Sequence, residues 1–315
     1  MIAYLARRIG ISLIVLVGVS LLVYGMLHVV FPSPARAVLG LRATQTAVSA
    51  WNKQNGYDDP LLVQYMHWVN QVLHGNLGWS YANNQSVLSL FQERAARSVY
   101  LSGMALLFSL IIAFPLGIFQ AVKRHSVGDN VLTSLAFVTY SMPVFLLGLI
   151  LIQVFALSAH IFGFEGSQST SIWVVMGDWH DMTLPIVTLT AISVAAYSRY
   201  MRSSSMDVLA QDYIKVVRAK GLPERLVLMR HLVRNASLPM VTLIGLSLPL
   251  LMAGNLVTEY VFNYPGLGLL FFDSLGKADY PTMLAYTLIL AVLVILGNLI
   301  ADIALGVADP RIRMA

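Results

Sequence analysis

Residues 9–31 form a run of 23 residues without a charged side chain. A helix of about 20 apolar residues is enough to cross the ~30 Å hydrocarbon core of a bilayer. Water cannot satisfy peptide groups inside that core, so a chain built on such runs is confined to helices or a closed barrel. Arg7 and Arg8 precede the run and Ala35-Arg36-Ala37 follows it, as around a secretory leader. A leader's apolar segment, however, has only about 7–15 residues, so this run reads as a first transmembrane helix. Comparable runs recur near residues 99–122, 131–164, 182–198, 236–261 and 280–306. The expected fold is all-α and polytopic, with six transmembrane helices. Pro115 is expected to break the second mildly and Pro143 to kink the third.

Charge placement orients these helices. Of 20 Lys and Arg residues, 14 fall within 7–8, 123–124, 199–234 and 311–313, which puts those segments and both termini on the cytoplasmic side. Five of the other six lie in residues 32–98 and orient weakly, because long loops translocate largely regardless of charge. Topology thus accounts for the net charge of +5, and no nucleic-acid partner is implied. Residues 32–98 are too polar to span and too long for a connector. A small extracytoplasmic domain of short helices is predicted there, with Trp51, Trp68 and Trp79 suited to the interface. His67 and His74 lack a third ligand at convincing spacing, so no metal site is expected. The absence of cysteine removes disulfides and thiolate chemistry.

The polar stretch 202–235 stands out between apolar runs and holds eight Lys and Arg if Arg199 is counted. Asp207 and Asp212 suit the start of a first short helix and Gly221 its end. Pro223 and Glu224 suit the first turn of a second helix. Leu222, Leu226, Met229 and Val233 give that helix an apolar stripe, and Arg230, His231 and Arg234 complement its C-terminal end. Two short helices around a glycine corner make a knob. On charge alone it is a positively charged loop.

Its wording says more. YIKVVRAKGL at 213–222, followed by His231, Arg234-Asn235-Ala236 and Pro239, resembles the EAA loop of ABC-importer permeases, most nearly the dipeptide/oligopeptide permease family. Other segments resemble the family in the same order. They are Asp59-Pro60 through Tyr65, His74-Gly75-Asn76-Leu77-Gly78, Tyr140 through Phe145, Glu259 through Gly268, Asp279-Tyr280-Pro281, and Asp309 through Arg313. Departures are Lys215-Val216-Val217 at the three EAA positions, Asn76 for the usual acid, and Pro32-Ser33-Pro34 for a Gly-Asp-Pro.

The resemblance implies a type I importer fold and a B-type permease subunit in the cytoplasmic membrane of a prokaryote. Its implied partners are a second homologous permease, ABC ATPase subunits, an extracytoplasmic solute-binding protein and a peptide substrate. ATP and Mg would be held by the ATPase, with no cofactor in this chain. The implied ATPase-coupling residues are Asp212, Tyr213, Arg218, Ala219, Lys220, Gly221 and Leu222. The implied organisation is a first helix over 1–31, an outer domain over 32–98, and a permease core over 99–315 containing the coupling loop.

Other residues carry two readings each. Ser247, Asn255 and Thr258 suit a polar lining for a peptide path and equally suit helix–helix packing. Glu259 is an ionisable group near the membrane and so a functional candidate. With Pro265, Gly266 and Gly268 it marks a tight bend read as an outer gate or binding-protein contact. A carboxylate capping or pairing at the outer interface is the alternative, and Asp302 is expected to have a structural partner.

No Gly-x-x-x-x-Gly-Lys-Ser/Thr or His-Glu-x-x-His motif occurs, and Gly245-Leu246-Ser247-Leu248-Pro249 breaks the nucleophile elbow. No catalytic residue is assigned. Nickel, glutathione and oligosaccharide remain alternative substrates within the family. A secondary carrier, or a scaffold that binds the ATPase without moving solute, is the reading outside it.

Overall fold

The computed structural model describes residues 2–30, 33–40 and 42–308. Pro32, the segment 309–313 and the Asp302 side chain lie outside what is described. The chain begins with α1 (Ile2–Val30). Three short helices follow, α2 (Ala35–Leu39), α3 (Gln45–Gln54) and α4 (Leu61–Leu73), and then a small hairpin of β1 (Trp79–Ser80) and β2 (Gln85–Ser86). Next come α5 (Val87–Val122), α6 (Val127–Ser141) and α7 (Val144–Leu151), the last continued by a π turn over Ile152–Ser158. The short α8 (Ile172–Gly177) leads into α9 (Trp179–Leu209).

Beyond α9 the chain turns through α10 (Asp212–Ala219) and α11 (Glu224–Leu226), a π segment Val227–Leu232, and α12 (Val233–Ala236). It closes with α13 (Leu238–Ala253), α14 (Leu256–Val261), α15 (Leu267–Gly276) and α16 (Tyr280–Ala308). Among the described residues, four helices are long and apolar enough to cross a membrane by themselves, and a fifth span results if α6 and the segment Val144–Ser158 are taken together.

Several boundaries differ from expectation. The second span does not start at residue 99. Ser86 caps α5 through its side chain, which accepts from Ser89 N, so the helix begins 12 residues early and Glu93, Arg94 and Arg97 ride on it. The expected domain boundary at residue 98 therefore falls inside a helix. Pro115 sits within continuous α5. Pro143, by contrast, does more than kink, because α6 and the α7 segment meet at 104°. Residue 142 before that proline is extended, as proline's ring requires of its predecessor.

The fourth helix runs 11 residues beyond its predicted end to Leu209. Asp207 is thus at its C-terminal end and does not start the next helix. The fifth predicted span is divided. Gly254, at φ +84°, stops α13 after 16 residues, about 24 Å of helix, short of a full crossing.

α5 and α9 pack most extensively. Ser98, Ser102, Ala105, Ser109, Ala113 and Gly117 recur every three or four residues along α5, and all are buried. Small residues let helix backbones approach closely. A Cβ added at Gly117 would lie 2.7 Å from both Ser198 O and Met201 Cβ.

Helix α4 packs onto α1 and α16, and the hairpin onto α16. Tyr24, Tyr65, Tyr280 and Leu284 form a common core, and Ser20 Oγ and Tyr65 OH share a 2.8 Å hydrogen bond. Asp279 anchors the hairpin, accepting from Ser80 Oγ, from Tyr81 N at 3.3 Å and from Thr282 Oγ1 at 2.8 Å. Gly78, at φ +96°, presses on the next turn, where an added Cβ would sit 3.0 Å from Pro281 Cβ. Asn76 Oδ1 accepts from Gly78 N at 2.9 Å, so the amide supplies the acceptor that an acid would.

Gly117→Ala is expected to destabilise the detergent-purified protein by about 1–3 kcal/mol through overpacking. Gly103→Ala on the same helix, where a Cβ meets nothing within 4 Å, should be neutral or stabilising. Melting temperatures of the two variants decide it.

Candidate functional site

The knob is held rigidly to the end of α9. Ile214, Val227, Leu232, Ala236 and Met240 are fully buried and pack against Met201 and Val208 of α9. The predicted stripe is displaced: Leu226 and Met229 are exposed, while Val227 and Leu232 point inward. The π turn over 227–232 explains the shift, since an inserted residue rotates the buried face away from regular 3.6 spacing. Ser204 Oγ of α9 donates to Ala236 O at 2.9 Å. Asn235 Nδ2 donates to Tyr213 OH at 2.7 Å and to His231 O at 2.9 Å, tying α10 to the second half of the knob.

Asp212 lies in the first turn of α10 and bonds Lys215 at 2.8 Å. Lys220 closes the helix through its N–H to Val216 O, and Gly221, at φ +77°, turns the corner. No atom lies within 4 Å of a Cβ placed there, so backbone conformation and not space demands the glycine. Arg218 straddles the corner with two bonds to Glu224, at 3.1 and 2.5 Å.

That contact holds the Glu224 carboxyl below its ordinary range, chiefly through the Arg218 hydrogen bond. Its stabilisation is present above the usual glutamate pKa and is lost as pH falls through the lowered value. Both partners are about half exposed, so the pair contributes less than about 1 kcal/mol. Asp212, Arg218, Ala219, Lys220 and Gly221 are exposed, Tyr213 and Leu222 half-buried. Val216, Leu226 and Met229 add exposed apolar surface beside the basic residues.

A clamp that sequence did not indicate lies above the knob. Arg202 of α9 grips Asp129 at the start of α6 through two bonds of 2.9 Å. Asp129 also accepts from His125 N at 3.0 Å and Thr133 Oγ1 at 3.2 Å. The pair spans 73 residues of sequence, and in the sequence Asp129 stands beside the basic residues Lys123 and Arg124 with nothing to mark its partner.

The other half of the site is centred on Glu259, which is wholly buried. Its Oε1 accepts from Ser98 Oγ at 2.7 Å and Asn255 N at 3.2 Å. Its Oε2 accepts from Gly268 N at 2.6 Å and Leu269 N at 3.2 Å. The last two are first-turn amides of α15, which have no partner within their own helix. Ser98 Oγ also accepts from Leu267 N at 2.8 Å. The carboxyl group of α14 therefore joins α5 to the start of α15. A Cβ at Gly266 would strike the carboxyl group, and one at Gly268 would lie 2.7 Å from Leu256 Cα. The Pro-Gly-Leu-Gly turn makes room for that carboxyl group. Arg97, also buried, donates to Pro265 O at 3.1 Å.

Burial closes Glu259, Gly266 and Gly268 to direct contact with a docked protein, and only Pro265 of the four is partly exposed. Asn255 Nδ2 donates to Ser102 Oγ at 2.7 Å, Ser247 Oγ to Ile244 O at 2.8 Å, and Thr258 is buried. All three polar groups lie within or between packed helices. Among the described residues no group of three or more His, Asp or Glu is disposed to hold a metal ion.

Residues 113–314 match the family described as binding-protein-dependent transport system inner membrane component, and residues 1–102 match its N-terminal family. The chain belongs to this family of ABC-importer permeases.

The permease is 35% identical to the oligopeptide transport system permease protein AppB of Bacillus subtilis, over 99% of this chain and 100% of that one. It is 34% identical to the dipeptide transport system permease protein DppB of Escherichia coli, over 99% of each chain. The glutathione transport system permease protein GsiC of Salmonella typhimurium is 33% identical over 99% of each chain. An inward-facing structure of the MetNI methionine ABC transporter shares the fold at TM-score 0.53 and 16% identity, covering 70% of the permease and 97% of that chain. The apolar helices and the family together make the permease a multi-pass inner-membrane protein.

Gly221→Asn should fold normally, since asparagine tolerates the left-handed region, whereas Gly221→Val should cost about 1–2 kcal/mol or reshape the corner. Limited proteolysis at 218–224 reads this directly. Glu259→Gln places an amide NH2 against donors and is expected to cost roughly 3 kcal/mol or more, measured as a fall in melting temperature. Arg202→Ala should cost about 3 kcal/mol by leaving Asp129 buried and unpaired.

Proposed function

We propose that the permease is one of two membrane subunits of an ATP-driven importer that carries peptides into the cell. The exposed glycine-cornered knob, packed without slack onto α9, is the observation that carries this reading. A partner ATPase would meet Asp212, Arg218, Lys220 and Gly221 at its surface, with Tyr213 and Leu222 holding the corner from beneath. The ATPase would hold ATP and Mg, and this chain would hold neither. The relatives named for oligopeptide and dipeptide transport favour a peptide substrate. The GsiC likeness supports glutathione, itself a small peptide, as the second reading.

Six crossings result when α6 with α7 and α13 with α14 each count as one, alongside α1, α5, α9 and α16. The basic residues then put both termini in the cytoplasm and residues 32–86 outside, where a solute-binding protein would dock. On ATP binding the ATPase would displace the knob. The Asp129–Arg202 clamp would carry that displacement from α9 to α6, rocking the spans between inward-open and outward-open states. Glu259 would hold the outer turn in place, as a positioning residue and not a contact. Ser247, Asn255 and Thr258 would reach a peptide path only in a state that separates α5 from α13 and α14.

Copurification and ATPase stimulation in lipid test the proposal. The wild type should retain an ATPase and a second permease, and Gly221→Asp should lose them or their coupling while keeping its melting temperature. Purification of the wild-type chain alone, with transport on an ion gradient, would overturn the reading in favour of a secondary carrier.

A further inference from the structure

A cavity of about 440 Å³ lies between the outer helices and the start of α16, within the size range of small-molecule sites. Six aromatic side chains line it: Tyr24, Tyr57, Trp68, Trp79, Tyr81 and Tyr280. They are mutually braced, with Tyr24 5.6 Å from Trp68 and 6.0 Å from Tyr280, centroid to centroid. Trp51 stands behind the wall, stacked on Tyr57 at 5.4 Å and edge-on to Tyr81 at 6.4 Å. Rings braced by neighbours hold fixed orientations, and an aromatic ring carries a negative face. Burial pushes the Tyr57 and Tyr81 hydroxyls up, so both stay neutral.

Gln64 lines the same cavity and is 8% exposed. Its Nε2 is committed to Tyr57 O at 3.0 Å and Asp59 O at 2.8 Å, which fixes the amide orientation and leaves Oε1 an acceptor. That oxygen has no hydrogen-bond partner. No Lys or Arg is among the lining residues, and His67 is the one lining side chain able to carry positive charge. Two carboxylates stand just behind it. Asp279 receives Tyr81 N at 3.3 Å, and Asp59 Oδ2 would lie 3.2 Å from a Cβ on Gly56. Aromatic faces, a spare acceptor and nearby negative charge form an environment for a cation and against an anion.

We propose that this cavity is a binding site for an aliphatic ammonium group, held by the aromatic wall and hydrogen-bonded to Gln64 Oε1. Two sources supply such a group at this position, a free amine in solution and the headgroup of an ethanolamine phospholipid. The site is separate from the coupling knob and from the Glu259 turn, and it does not depend on the transport reading.

Ethanolamine titrated against the full chain in phosphatidylglycerol nanodiscs tests it, read by tryptophan fluorescence, since Trp68 and Trp79 face the cavity. A saturable response is expected from ethanolamine and not from acetate or ethylene glycol. Tyr81→Leu and the half-exposed Trp79→Leu should each weaken binding roughly five- to thirtyfold at unchanged melting temperature. Gln64→Leu should weaken it as well, and either wall variant suffices if that one fails to fold. If phosphatidylethanolamine in the nanodisc abolishes the response, the lipid headgroup is the occupant. If the response persists, the occupant is a soluble amine. No saturable response without phosphatidylethanolamine, an equal response to ethylene glycol, or unchanged affinity in both wall variants overturns the site.

Discussion

Four donors converge on the two carboxyl oxygens of Glu259, and they come from α5, from the start of α14 and from the first turn of α15. Four donors and no facing acceptor is the arrangement an ionised carboxyl group fits. A carboxylate deep in a membrane protein is tolerated only when it is fully hydrogen-bonded. Here the requirement dictates the local chain. Gly254 must break α13 so that α14 can turn inward, and Gly266 and Gly268 must lack side chains so that the amides can close on the carboxyl group. Ser98 must sit on the small-residue face of α5. The bend over residues 265–268, the division of the fifth predicted span and the placement of α15 all follow from one buried acid.

The knob end of the molecule is organised on a different basis. There the knob is a small apolar core of its own, continuous with the last turns of α9. Charge lies on its outside and in the Asp129–Arg202 pair beside it. The first arrangement fixes geometry by polar satisfaction, the second by packing, and the α5–α9 contact links them.

Local chemistry was the legible part of the sequence. Gly221 as a helix stop, Pro223 and Glu224 opening the next helix, and short helices in residues 32–98 could be read from residue types alone. The register of the second knob helix could not, because a π turn leaves no mark in hydrophobic spacing until its partners are known. Hydropathy placed the apolar runs but not the breaks within them. It runs smoothly through Gly254, and it gives no hint that Pro143 bends the chain by 104°. Pairings across long separations were invisible as well, among them Ser98 with Glu259 and Asp129 with Arg202. The run of small residues along α5 is a sequence signal for a close helix contact even before any partner is known.

The unbroken course of α9 has a mechanical consequence. Its 31 residues span about 46 Å as one continuous helix, in which Pro185, having no N–H, leaves a single rung of the hydrogen-bond ladder open. Such a helix is a strut: it can tilt or slide, but it cannot shorten or fold. Any rearrangement of the molecule must therefore be absorbed elsewhere, and among the described residues the helices interrupted at Pro143 and at Gly254 are placed to absorb it. Stiffness is concentrated in α9 and compliance in the helices on either side of it, as in a lever carried between two joints.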